Sequence, residues 1–288
     1  ISLDDINYPK LLKEIKNPPK ILYYRGEIFA KENCFAIVGT RRCSNYGKEV
    51  TWQIASDLAD YGLTIVSGFA PGIDTIAHKA AIERGKRTIA VMGTGLDEKS
   101  IYPKSNLKLV KKILEMGGAL ISEYPPGTRG TKFTFPQRNR IISGLSLGVL
   151  VVEAKIQSGA LITANYAKKQ NRKIFAVPGP IFSQNSKGCH FLIKNGAKLV
   201  ESAEDILKEL KIQKKTNERK KEIKGKNEQE NLILELLKEG ALDIEKIVEK
   251  TKLSPSKVAS ILSILEIEGK IKNLGGNIYA ISNRWKSY

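Results

Sequence analysis

From residue 34 to about residue 210 the chain alternates short, β-rich apolar runs with amphipathic helical stretches, and that alternation decides its fold class. The strand runs fall at 35–38, 64–67, 88–92, 119–122, 148–153 and 174–177. Between them apolar residues recur at helical spacing; over 46–60, Val50, Ile54 and Leu58 lie four apart on one face. A helix between successive strands is the crossover that parallel pairing requires. The expected core is therefore a doubly wound, parallel α/β sheet with helices on both faces. Ligands of such sheets bind beyond the carboxyl ends of the strands.

Residues 211–227, KIQKKTNERKKEIKGKN, have almost no apolar content and read as a solvated basic linker. A compact unit follows over 228–288. It comprises helices at 228–239 and 243–250, a third opened by Ser254 as N-cap with Pro255 at its first position, and a hairpin around Gly275-Gly276. Three helices and a hairpin suggest a small winged-helix domain.

Charge points to the partner. Lys and Arg number 48 against 30 acids. Residues 1–207 carry 30 basic and 18 acidic side chains, 208–227 carry 9 and 3, and 228–288 carry 9 of each. A polyanion should meet the first two segments rather than the last. Three scattered cysteines, Cys34, Cys43 and Cys189, suit neither a disulfide framework nor a zinc site, so no metal is expected and a reducing cytoplasmic compartment is. The longest mostly apolar stretch, 141–154, is interrupted by serine and glycine and is shorter than the roughly 18 residues of a membrane span.

Three glycine turns follow the first three strands. Gly39-Thr40-Arg41-Arg42 joins close backbone approach to two guanidiniums. The turn SGFAPGID, beginning Ser67-Gly68, opens a helix whose free amides favour an anion. Gly93-Thr94-Gly95 is the third. Any one could be a tight connection; three at one edge favour a phosphate-binding rim. Glu98 stands where a dinucleotide fingerprint needs its third glycine, and no GxxxxGK[ST] loop occurs, so neither a nicotinamide nor an ATP cofactor is expected.

The richest segment is KFTFPQRNR at 132–140, with Lys132, Phe133, Phe135, Arg138, Asn139 and Arg140. Cations contact phosphates and aromatic rings stack on exposed bases, a combination that favours single strands because duplex bases have covered faces. Core packing of either phenylalanine and surface ion pairs for the arginines are the competing readings. Evidence for catalysis is thin. Asp74 and His78 can share a helix face, and Glu153 precedes Ser158, Gly159 and Thr163. A capping acid with a packed histidine, and a sheet-edge turn with Ser158 as cap, explain both groups, so no catalytic residue is assigned.

These residues resemble the DNA-processing protein A (Smf) family. The matching pieces run in order: Tyr8-Pro9, Pro18-Pro19, Tyr23-Tyr24-Arg25-Gly26, IVGTRRCSNYG at 37–47, SGFAPGIDTIAH at 67–78 and SEYPPG at 122–127. FPQRNRIISGLS at 135–146, VVEA at 151–154, SGALITA at 158–164, VPGP at 177–180, Gly188 and LIKNGA at 192–197 complete them. The resemblance implies an extended Rossmann-like domain over 1–210 that binds single-stranded DNA and helps load RecA in natural transformation. It implies a homodimer through the region of Phe191, Leu192 and Ile193, and a winged helix after the core. Carried over by position, the phosphate cradle is Gly39, Thr40, Arg41, Ser67 and Gly68, with Arg138 and Arg140 beside it. Pro71 replaces an arginine usual in the family, which removes one candidate contact. The main alternative is a nucleotide-processing enzyme of the phosphoribohydrolase-like group, whose PGGxGTxxE loop is not found in this sequence. A transcription factor reading duplex DNA through the winged helix fits poorly with the neutral charge of 228–288.

Overall fold

The computed structural model describes residues 1–212 and 225–281. The chain divides into two compact units, Ile1–Lys214 and Lys215–Tyr288. Residues 213–224, most of the expected basic linker, lie outside the described residues.

In the first unit α1 (Lys10–Lys13) and β1 (Tyr23–Gly26) precede β2 (Cys34–Val38), α2 (Asn45–Asp60), β3 (Thr64–Ser67), α3 (Ile73–Glu83) and β4 (Thr88–Met92). Next come α4 (Leu107–Glu115), β5 (Ala119–Ser122), α5 (Thr134–Gly144), β6 (Gly148–Val151) and α6 (Gly159–Lys169). The unit closes with β7 (Lys173–Ala176), α7 (Lys187–Lys194), β8 (Lys198–Leu199) and α8 (Ala203–Glu209). The eight strands form one sheet in the order β1-β5-β4-β3-β2-β6-β7-β8. The doubly wound α/β expectation holds, with one correction. Edge strand β1 runs antiparallel to β5 and precedes the strand–helix alternation. Its residues alternate between half-buried and exposed, so it forms no apolar run. Strands β2 to β6, buried along their whole length, read as continuous apolar runs because helices cover both faces.

Side-chain alternation in β2 shows the two layers. Phe35 and Ile37 pack with Ile54 and Leu58 of α2, Ala77 of α3 and Ile206 of α8. Ala36 and Val38 face the other way, into a cluster with Ile141 and Ile142 of α5, Ala164 of α6 and Cys189 of α7. From β2 the chain builds outward through β3, β4 and β5, then returns to place β6 on the opposite side of β2. The loops after β2 and β6 diverge at this reversal and open a crevice at the carboxyl end of the sheet.

The second unit comprises α9 (Glu228–Lys238), β9 (Leu242–Asp243), α10 (Ile244–Thr251), α11 (Pro255–Ile267), β10 (Ile271–Asn273) and β11 (Ile278–Ile281). Its strands form an antiparallel sheet in the order β10-β11-β9, so the expected hairpin gains a short third strand. Asn227 and Asp243 cap α9 and α10 through their side chains. Ser254 holds the cap position of α11 ahead of Pro255, but its side chain makes no cap bond. Val258, Ile261, Leu262 and Leu265 of α11 fill this unit's own core, as their spacing predicts.

Candidate nucleic-acid interface

The crevice is an open cleft of about 1080 Å³. Eight cations line it, Arg41, Arg42, Lys99, Lys104, Arg129, Lys132, Arg138 and Lys155, against the single carboxylate of Asp74. All but Arg138 are exposed. Among the described residues Arg41, Arg42, Lys99, Arg129, Lys132 and Lys155 form no ion pair. A strongly positive, open groove concentrates phosphates.

Aromatic rings share the cleft. The Phe135 ring fits between two glycines: a β-carbon would lie 2.7 Å from that ring at Gly93 and 2.4 Å from it at Gly130. The glycine turn after β4 therefore makes room for a ring, and its Gly95 amide donates to the Thr128 carbonyl at 2.9 Å. Tyr102 stands 6.0 Å from Phe135, centre to centre, with its plane tilted by 50°. Arg41 approaches the Phe135 ring, and Lys132 Nζ lies 5.2 Å from the centre of Phe133. Phe133 is 70% exposed, which rules out core packing, but it is not among the residues lining the cleft; Phe135, half-buried, is.

Of the buried members of the expected set, Arg138 and Asn139 line the cleft, whereas Ser67 and Gly68 are not among its lining residues. Ser67 Oγ donates to the Ile37 carbonyl at 2.6 Å, and the Gly68 and Ala70 amides donate to Asp74 Oδ2 at 3.1 and 3.4 Å. These two amides of the turn are thus taken by the chain's own carboxylate, and at the start of α3 the Ile73 and Thr75 amides donate to the Thr40 and Ala70 carbonyls, each at 3.2 Å. Burial raises the Asp74 carboxyl to about 6, against the opposing pull of Arg138. Thr40 N donates to the Glu153 carbonyl at 2.7 Å; Gly39 and Thr40, half-buried, line the cleft beside the exposed Arg41 and Arg42.

Arg138 and Arg140 part company. Arg138 Nη1 donates to the carbonyls of Gly68, at 2.7 Å, and Val91, tying the ends of β3 and β4 together. Burial lowers its guanidinium to about 10. Asn139 Nδ2 donates to the Gly159 carbonyl at 3.1 Å, joining α5 to α6. Arg140 pairs with Glu123 and is not among the residues lining the cleft. The expected place of Arg140 beside the cradle is corrected accordingly: α5 turns it toward another face. Lys99, Tyr102, Lys104, Arg129 and Lys155 join the site without having been expected. The segment 99–104 carries the same interleaving of cation and aromatic that singled out 132–140.

The candidate acid–base groups are otherwise engaged. His78 Nδ1 pairs with Thr88 Oγ1 at 2.7 Å instead of with Asp74. Glu153 accepts from Ser44 N at 2.9 Å and Ser44 Oγ at 2.5 Å, pinning the start of α2 to the end of β6. Ser158 holds the cap position of α6 without a side-chain cap bond. Among the described residues no His, Cys, Asp and Glu group could hold a metal ion.

Residues 1–211 match the family described as DNA recombination-mediator protein A, and residues 218–277 match the DprA winged helix domain. The chain belongs to the DprA/Smf family. It is 47% identical over 211 residues to DNA processing protein DprA of Streptococcus pneumoniae, covering 73% of each chain. With Protein Smf of Escherichia coli it shares 46% identity over 213 residues, covering 74% of this chain and 56% of that one. The X-ray structure of S. pneumoniae DprA superposes with a TM-score of 0.67 at 45% identity, over 73% of both chains. DNA processing protein A from Helicobacter pylori, solved for its single-stranded DNA binding mode, matches with a TM-score of 0.64 at 32% identity. That match covers 73% of this chain and 98% of the other. In this DprA/Smf member Phe191 of α7 is 50% exposed, while Leu192 and Ile193 are partly buried against the core.

Proposed function

We propose that this DprA/Smf chain is a single-stranded DNA-binding protein, not an enzyme, that protects incoming DNA and helps load RecA during natural transformation and recombination. One observation carries the reading: exposed cations and stacking-competent rings line the same open cleft at the switch point of the sheet. Arg41, Arg42 and Lys132 bind phosphates, with Lys99, Lys104, Arg129 and Lys155. Phe133 and Phe135 stack on bases, with Tyr102 beside them. Gly39, Thr40, Arg138 and Asn139 shape the floor on which a strand lies, while Ser67 and Gly68 support it through hydrogen bonds with Ile37 and Arg138. The single-stranded DNA binding mode of the H. pylori protein supports the same ligand here.

The family's description as a DNA recombination mediator supports RecA as a partner. A homodimer through Phe191, Leu192 and Ile193 accords with the exposure of Phe191 and with the family resemblance. The cytoplasm is the compartment where these partners meet; no helix among the described residues is long and apolar enough to cross a membrane. The phosphoribohydrolase-like alternative loses ground because Asp74 and Glu153 accept internal hydrogen bonds and His78, fully buried, pairs through Nδ1 with Thr88 instead of with Asp74.

Photo-crosslinking of a bromodeoxyuridine-substituted single strand tests the assignment. Crosslinked peptides should fall at 99–104 and 129–135. Crosslinks confined to the second unit would overturn it.

A further inference from the structure

The loop between β7 and α7 ends in an unusual turn. Ser183 N donates to the Pro180 carbonyl at 3.0 Å, so Ile181 and Phe182 occupy the corners. They are 64% and 90% exposed, where turns ordinarily place Gly, Asn, Asp or Ser. The tip is held from both sides. Tyr46 Oη donates to the Pro178 carbonyl at 2.7 Å, and His190 Nε2 pairs with the Gly179 carbonyl at 3.1 Å. Asn185 Nδ2 donates to the Arg42 carbonyl at 3.1 Å, and Ala154 N donates to the Asn185 carbonyl at 2.6 Å. A rigid scaffold therefore holds a solvent-facing ring beside the two loops, at 39–42 and 154–157, that form one edge of the cleft.

The surroundings name the ligand. Arg42 and Lys155 line the cleft at this edge, Lys187 opens α7 two residues after Asn185, and all three are exposed. Ile156, 58% exposed, sits between Lys155 and Gln157. Protein-binding surfaces are depleted of charge at their centres, whereas here Asn185 ties the turn's loop to the loops that carry the exposed Arg42 and Lys155, and Lys187 follows it. Cations interleaved with an exposed ring are the pattern of a single-strand path.

We propose that Phe182 is a second base-stacking platform, which takes single-stranded DNA leaving the cleft past Arg42 and Lys155. Phe135 then holds a base within the cleft, Phe133 one beside its lining residue Lys132, and Phe182 one beyond the edge at Arg42 and Lys155. This inference rests on the single-strand reading of the cleft and extends it to a longer site.

The test uses the full chain and fluorescently labelled oligothymidylates of two lengths, about 6 and about 20 nucleotides, in equilibrium anisotropy. Phe182→Ala should weaken the long strand at least about five-fold and change the short one less than about two-fold, while Phe182→Tyr keeps parental affinity for both. If Phe182→Ala leaves the long strand unaffected while Arg41→Ala weakens it, the platform is refuted and the cleft reading stands. An equal loss at both lengths, with light scattering showing a fall to the monomer mass, would instead make Phe182 a contact between copies and overturn the proposal. If the parent protein binds neither strand, the cleft reading fails and the platform with it.

Discussion

The guanidinium of Arg41 lies 5.9 Å from the centre of the Phe135 ring, so a cation from the loop after β2 and an aromatic of α5 meet in one cleft. A nucleotide bound there presents its phosphate to the first and its base to the second. Removing the ring by Phe135→Ala should cost about 1–3 kcal/mol of single-strand affinity. The salt dependence should stay the same, because no charge is lost. Anisotropy titrations at several salt concentrations separate the two quantities; a changed slope would mean that the ring acts by positioning Arg41.

Arg41 and Arg140 should give opposite phenotypes. Arg41→Ala should weaken binding across all sequences and make the salt slope shallower by about 0.7, the signature of one lost phosphate contact. Arg140→Ala should leave that slope alone and cost about 3 kcal/mol of stability, because it strands Glu123 in a largely buried pair. Denaturant unfolding beside the salt series checks both.

Much of this architecture is legible in the residues. Strands β2 to β6 announce themselves because helices bury both faces, whereas half-solvated β1 carries no such mark. In the site, Arg41, Lys132 and Phe133 stand out by type and prove exposed. Arg138 and Arg140 look alike in sequence, yet two helical positions are separated by about 200° of rotation, which sends them to different faces of α5. The capture of the Gly68 and Ala70 amides by Asp74 depends on how the turn folds back, which no local spacing encodes.

Two buried groups should oppose each other in acid. Burial lowers His78 to about 3, so its contribution is present above the unfolded value near 6.5 and lost as pH falls. Burial raises Asp74 to about 6, so its contribution is present at low pH and lost as pH rises through 6. Between pH 6 and 4 the two nearly cancel. Relative to the parent, Asp74→Asn should therefore lose stability on acidification by about 1.4 kcal/mol per pH unit, and His78→Gln should gain a similar amount. Urea midpoints at pH 7, 6 and 5 decide it; parallel curves for all three proteins would refute the assignment.

The winged-helix segment 228–288 should contribute little to binding. It carries 9 basic and 9 acidic residues, and α11 has Lys257 as its only cation while burying Val258, Ile261, Leu262 and Leu265 in its own core. A truncation ending at residue 212 should keep single-strand affinity within about three-fold, and residues 228–288 alone should bind neither single strand nor duplex appreciably. Sub-micromolar duplex binding by that segment at physiological salt would make the winged helix the principal reader.

Comparison of single-stranded and duplex oligonucleotides of equal length, titrated across a salt series with the full chain, addresses the cleft most directly. Phosphate contacts alone would serve both ligands, whereas Phe133 and Phe135 can stack only on bases whose faces are free. The account predicts tighter single-strand binding at every salt concentration, with a preference that persists as salt weakens the phosphate contacts. Duplex binding as tight as single-strand binding at moderate salt would contradict it.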